Sequence, residues 1–266
     1  KQLPHDLFGM LASAMFKDAG KLAPPSTHYQ WDIARVMIWR SSWADDASGL
    51  WVRGSHPNDF HTHHDAGHVN FIVNGQAALI ESGTSGYRNP RLKDDFKSVR
   101  GHNVLQVDEQ LETVQNTDIP IAVSRLDDHG GEVSINPASA YPDIQSWQRD
   151  VKWSLDTLTV HDTIQTHDNK PHQLMLRYLL GSQQDVTISK TVSEQGHDVY
   201  RVTVPKGRRE FTGWPGKGKT YWDIPEKDIL LTPAMVFEIA SANPITVKAI
   251  DHVNHTMRFR FQEMPC

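Results

Sequence analysis

Cysteine is nearly absent from these 266 residues: Cys266 is the only one, so no disulfide can form within the chain. No apolar run approaches the length of a membrane span, which excludes a membrane-spanning helix. Positive charge is also short. The formal net charge is -5 and the pI is near 6.3, with no large Lys/Arg cluster, and this excludes a nucleic-acid binder. No signal peptide is visible, and the chain starts at Lys1 rather than Met, as expected of a processed protein or a piece of a longer one. With 38% hydrophobic residues there is still enough apolar material for a core of one large domain or two small ones.

One helix is expected, in "HDLFGMLASAMFKDAG". Asp6 is placed as N-cap, Leu7, Leu11, Ala14 and Met15 share a face, and Gly20 ends it. "LAPPS" then breaks the chain, and the hydrophobic period changes from 3.6 to 2. Strands are expected at 34–40, 49–54, 69–73, 77–81, 102–108 and 121–126, with Asn74-Gly75 as a hairpin turn. The second half continues alike, from "GEVSI", "DTLTVHDTIQ" and "HQLMLRYLL" through "DVTIS", "VYRVTV" and "AMVFEIA" to "ITVKAI" and "TMRFRFQ". About a dozen strands or more, broken by Gly, Pro, Asn and Asp, predict an all-β fold. We expect a large antiparallel β-sandwich over 29–266, preceded by a helical remnant and linker over 1–28.

What is abundant is histidine, with 15 residues. "HTHHDAGHVNF" (61–71) holds four of them and an aspartate within eight positions. Read as a strand, it would project His61 and His63 to one face and His64 to the other. Glu81 ends the return arm of the Asn74-Gly75 hairpin, and His102 opens the next strand pattern. Two histidines and a carboxylate suit Zn²⁺, with Mn²⁺ or Ca²⁺ as alternatives. For any single histidine the plainer account is a loop residue bonded to backbone; the set as a whole favours a metal. A cupin also uses His-x-His on a β-barrel, but it wants a Glu four residues after the second His, where Gly67 stands.

Three stretches together resemble the heparinase II/III-like polysaccharide lyases: "WRSSWADDASGLWVRG", "HTHHDAGHVNFIVNGQAALIESGTSGY" and "SVRGHNVLQVD". "YPDIQSWQRDVKW" followed by "LTVHDTIQ" resembles the family's downstream segment. The likeness is specific over about 35–165 and architectural beyond. It implies a C-terminal β-sandwich that works with an N-terminal α/α toroid. The pair would cleave an acidic polysaccharide, alginate or a glycosaminoglycan, by β-elimination in the periplasm or outside the cell. It implies a zinc held by His63, Glu81 and His102, with His61 and Tyr87 as catalytic groups. Glu81 stands where the family usually has Asp, so its surroundings must differ by a methylene. His64 and His68 are expected to support the site or to face solvent.

Neutralising a uronate carboxylate calls for cations, for which Arg40, Arg88 and Arg100 are candidates. Trp214, in the Gly-rich "TGWPGKGKTYW" with Lys217 and Lys219, is a candidate for stacking on a sugar. Trp39, Trp43, Trp51 and Trp147 are expected in the core. No toroid is present in the sequence, so the isolated chain is expected to be nearly inactive. The rival reading is a non-catalytic carbohydrate-binding or structural sandwich. Helical repeats encoded upstream of Lys1 would favour the lyase.

Overall fold

The computed structural model describes residues 25–82, 87–167 and 172–180, together with the backbone of six further strands between 187 and 262. Every strand pairing described is antiparallel. The large sheet begins with β1 (His28–Trp31), β2 (Val36–Arg40), β3 (Gly49–Arg53), β4 (Val69–Val73) and β5 (Gln76–Ile80), which pair in that order. It continues through β11 (Gln173–Leu180) to β17 (Thr256–Gln262), with β6 (Leu105–Val107) beside β11. A four-stranded meander holds β7 (Ile121–Asp127), β8 (Gly130–Ile135), β9 (Ile144–Trp153) and β10 (Leu158–Thr166). The strands β12 (Thr187–Val192), β13 (Asp198–Val204) and β16 (Met235–Ser241) form a third sheet, and the short strands β14 (Glu210–Phe211) and β15 (Glu226–Lys227) pair with each other. The expected helix over 6–20, the strand "ITVKAI" and Trp214 lie outside the described residues.

The period-2 reading holds because the alternation reports a buried face. Along β9, Trp147, Arg149, Val151 and Trp153 all point inward while Gln148 and Lys152 face out. These residues meet Met37, Trp39, Leu50, Val52 and Phe71 of the large sheet in one core, with Trp39 edge-on to Trp153 at 6.2 Å. That is the sandwich: two sheets with apolar inner faces in contact. Trp39 also closes its own polar end, its Nε1 donating to the Asp127 carbonyl at 2.7 Å. Trp43 departs from the expected core: it lies past the end of β2, is 52% exposed, and stacks under Arg40.

Asn74 and Gly75 have φ of 49° and 73°, the two positive values of a type I′ hairpin. A Cβ on Gly75 would come within 2.6 Å of the Asp45 carbonyl oxygen. Gly75→Ala is therefore expected to cost at least about 1–2 kcal/mol, the penalty of a left-handed non-glycine residue. A urea unfolding curve shifted to lower midpoint at unchanged slope would show it; an unshifted midpoint would refute it.

This topology positions the site. The β4–β5 hairpin turns at one end of the sheet. The β3–β4 connection (54–68) and the β5–β6 excursion (81–104) therefore leave from the opposite end, side by side. Every histidine and carboxylate singled out above lies on one of those two segments.

Candidate metal centre and catalytic pair

Residues 61–68 form a loop, not the expected strand. His61 has a φ of 56°, which a strand cannot contain. The i, i+2 argument therefore fails, and His61 and His63 diverge: His61 reaches Tyr87, whereas His63 reaches His102. Likewise His102 does not open a strand but caps the single helical turn Val99–Gly101, and Glu81 lies one residue past β5.

The two loops nevertheless bring the expected donors together. His63 Nδ1 lies 3.2 Å from His102 Nε2, and Glu81 Oε2 lies 3.8 Å from His102 Nδ1. His102 is fully buried, and its Nδ1 has no hydrogen-bond partner among the described residues. An orphaned ring nitrogen facing a carboxylate is costly unless a cation lies between them. His63 and Glu81 thus face opposite ring nitrogens of His102, so a single ion bound by all three would need one of them to turn toward the nitrogen that the other faces.

The electrostatics agree. Burial, then the charges of Lys97, His64 and Arg53, lowers the His63 pKa. Burial, then the neighbouring His68, His63 and His64, holds His102 well below the usual range, against a weak pull from the Phe96 carbonyl. Burial alone raises that of Glu81, for which no Arg or Lys partner exists among the described residues. Neutral imidazoles beside a desolvated carboxylate are what a divalent cation requires.

By distance alone, the set that forms among the described residues is His68, Glu81 and His102, with donor atoms within 4.8 Å of one another, and His63 is not part of it. Chemistry removes His68 from it. Its Nδ1 accepts from the Asn103 backbone N–H at 2.8 Å, and its Nε2 lies 2.7 Å from Asn70 Oδ1. Both ring nitrogens are thereby engaged, which fixes the proton on Nε2 and leaves no lone pair for a metal. His63, which approaches His102 Nε2, is the remaining histidine candidate.

His68 is fully buried, and burial pushes its pKa down to about 3. A folded pKa below the unfolded value means that the unfolded chain binds the extra proton. Stability from this group is complete above about pH 6.5 and declines as pH falls through that range toward 3. His68→Gln should remove about 1.4 kcal/mol per pH unit from the acid slope between pH 6 and 4. Urea titrations of both proteins across that range would show it; parallel slopes would refute it.

His61 and Tyr87 are 26 residues apart, yet Tyr87 Oη lies 2.5 Å from His61 Nδ1. Tyr87 is 78% exposed, and Phe60, which precedes His61, and Arg88, which follows Tyr87, are exposed too. Arg100 is half-buried, and its Nε is shielded from solvent with no hydrogen-bond partner among the described residues. Arg40 is not available for substrate: it donates to the Ser42 and Ala44 carbonyls. His64 is structural as well, with Nδ1 accepting from the Thr113 N–H at 2.8 Å.

Sequence reasoning missed Asn103 and the buried pair Arg149–Asp162. Arg149 was detectable, as a charged residue at an inward position between Trp147 and Val151 on β9.

The fold is thus an antiparallel sandwich with a histidine–carboxylate cluster and a His–Tyr pair at one end. The chain belongs to the heparinase II/III-like C-terminal family, whose model matches residues 36–233. Solved structures agree on the fold. A heparinase III aligns with a TM-score of 0.58 at 15% identity, over 95% of this chain and 39% of its own. The heparan sulfate lyase HepC from Pedobacter heparinus aligns with a TM-score of 0.57 at 16% identity, again over 95% of this chain and 39% of its own. The chain thus spans about two fifths of the length of these proteins. No curated protein matches by sequence.

Proposed function

We propose that this chain is the metal-bearing sandwich part of a polysaccharide lyase that cleaves a uronic-acid polysaccharide, a glycosaminoglycan or alginate, by β-elimination. An α/α toroid of the same protein would cover the exposed end and complete the cleft. Its place would be the periplasm or the cell exterior, where such substrates are met. Family membership supports the scaffold. The observation that carries the chemistry is the Tyr87–His61 hydrogen bond beside the ligand cluster.

β-Elimination removes the C5 proton of the uronate, forms the C4–C5 double bond and expels the 4-linked oxygen, which must be protonated. In this reading His61 takes the C5 proton while Tyr87 Oη gives its own to the expelled oxygen, and the proton on His61 then passes across the Nδ1–Oη hydrogen bond to restore the phenol. Arg88, adjacent in the chain and exposed, would offset the substrate carboxylate. A zinc held by His63, Glu81 and His102 would supply a fixed tie between the two loops. His61, two residues from His63, is then oriented by that tie.

The test is an assay of the full-length protein that carries this sequence, on heparan sulfate, heparin and alginate. Elimination yields a conjugated unsaturated uronate, read by ultraviolet absorbance. Absorbance on one of these supports the reading and names the substrate. New reducing ends without absorbance would mean hydrolysis and would overturn it.

A further inference from the structure

Asn103 sits at the crossing of the two loops, and its side chain is fully used. Nδ2 donates to the Val69 carbonyl at 2.8 Å and to the Ile80 carbonyl at 2.9 Å, and Oδ1 accepts from the Leu179 N–H at 2.6 Å. Ile80 immediately precedes Glu81, and Asn103 immediately follows His102. One amide therefore ties together the backbones that carry two of the ligands. Its own N–H binds His68 Nδ1, which anchors it to the end of the His63 loop.

Arg149 holds this crossing from the opposite sheet. Its Nη1 donates to the Asn103 carbonyl at 2.7 Å and to the Gly67 carbonyl at 2.8 Å. Nε and Nη2 fork onto Asp162 at 2.8 and 3.0 Å, and Trp147 Nε1 steadies the same carboxylate at 2.7 Å. Arg149 is 1% exposed, so its only outlets are these partners. Gly67 ends the segment that starts at His63, so both ligand loops hang from one guanidinium. The planar fork makes this possible, since a lysine ammonium lacks the geometry to serve a carboxylate and two carbonyls at once.

We propose that Asn103, locked by the Arg149–Asp162 pair, is a positioning residue that sets the spacing of the metal ligands on the two loops. This rests on the metal reading above. Residues that orient ligands typically account for about 10–100-fold in metal affinity. A purely structural role would lower the melting temperature without a selective change in affinity.

The experiment is a zinc competition titration of the full chain against a chromophoric chelator, with melts of apo and loaded protein alongside. Four proteins are compared: unaltered, Asn103→Asp, Arg149→Lys, and Val133→Ala as a control that loosens the core on β8 away from the loops. Asn103→Asp keeps the acceptor for Leu179 but turns an oxygen toward two carbonyls. The expected result is zinc binding at least about tenfold weaker in both loop-crossing variants and unchanged in Val133→Ala. If Asn103→Asp does not fold, Arg149→Lys decides alone. Affinities within twofold of the unaltered chain, or weakened in step with Val133→Ala, would overturn the positioning role while leaving the metal site standing. An unaltered chain that takes up no zinc would overturn both.

Discussion

His63→Ala should strip the chain of its metal and lower its stability by about 4 kcal/mol under zinc-replete conditions. The figure follows from linkage: a ligand present at a thousand times its dissociation constant stabilises the state that binds it by about 4.1 kcal/mol. For a chain of this size that corresponds to roughly 10 °C in melting temperature. This part of the loss should vanish in chelator, because the linkage contribution exists only while the metal is bound. His68→Gln should behave in the opposite way, keeping the metal and losing stability with and without chelator. Elemental analysis beside thermal melts separates the two. If His68→Gln loses the metal and His63→Ala keeps it, the ligand set is His68, Glu81 and His102, and the tautomer argument is wrong.

Replacing His61 in the full-length protein should lower turnover roughly 10²–10⁴-fold, the usual contribution of a positioned acid–base group. Asparagine is the better replacement than alanine, because His61 has a left-handed φ of 56° that asparagine tolerates. Metal content and melting temperature should stay unchanged, since the ring is exposed and bonds to Tyr87. Tyr87→Phe should fall by a similar factor. The double variant should be little worse than either single one, because two groups that share one proton fail as a unit. Losses that multiply would show that the two act independently. Full activity in both single variants would remove them from the chemistry.

The strands and the hairpin were legible because a half-buried strand writes its burial into the alternation of its residues, as in β2, β3 and β9. The candidate ligand set rests on family resemblance. The geometric argument offered for it failed, because His61-Thr62-His63 imitates a strand period while the backbone at His61 is left-handed. Nothing local in the sequence announces that turn. The role of His68 was hidden for another reason. It depends on Asn103 and Asn70, and a pairing with Asn103 35 residues away leaves no periodic trace. Arg149 was readable in principle, since its parity on β9 matches Trp147 and Trp153, but its partners at Gly67 and Asn103 exist only once the sheets have packed.

The most direct test of the whole account is anomalous diffraction at the zinc edge from crystals of the chain grown with zinc. The account predicts one peak bonded to His63, Glu81 and His102 at about 2.0–2.2 Å, with His68 bonded to Asn103 and Asn70 instead. No peak at the two loops, or a peak bonded to His68 with His63 turned away, would contradict it.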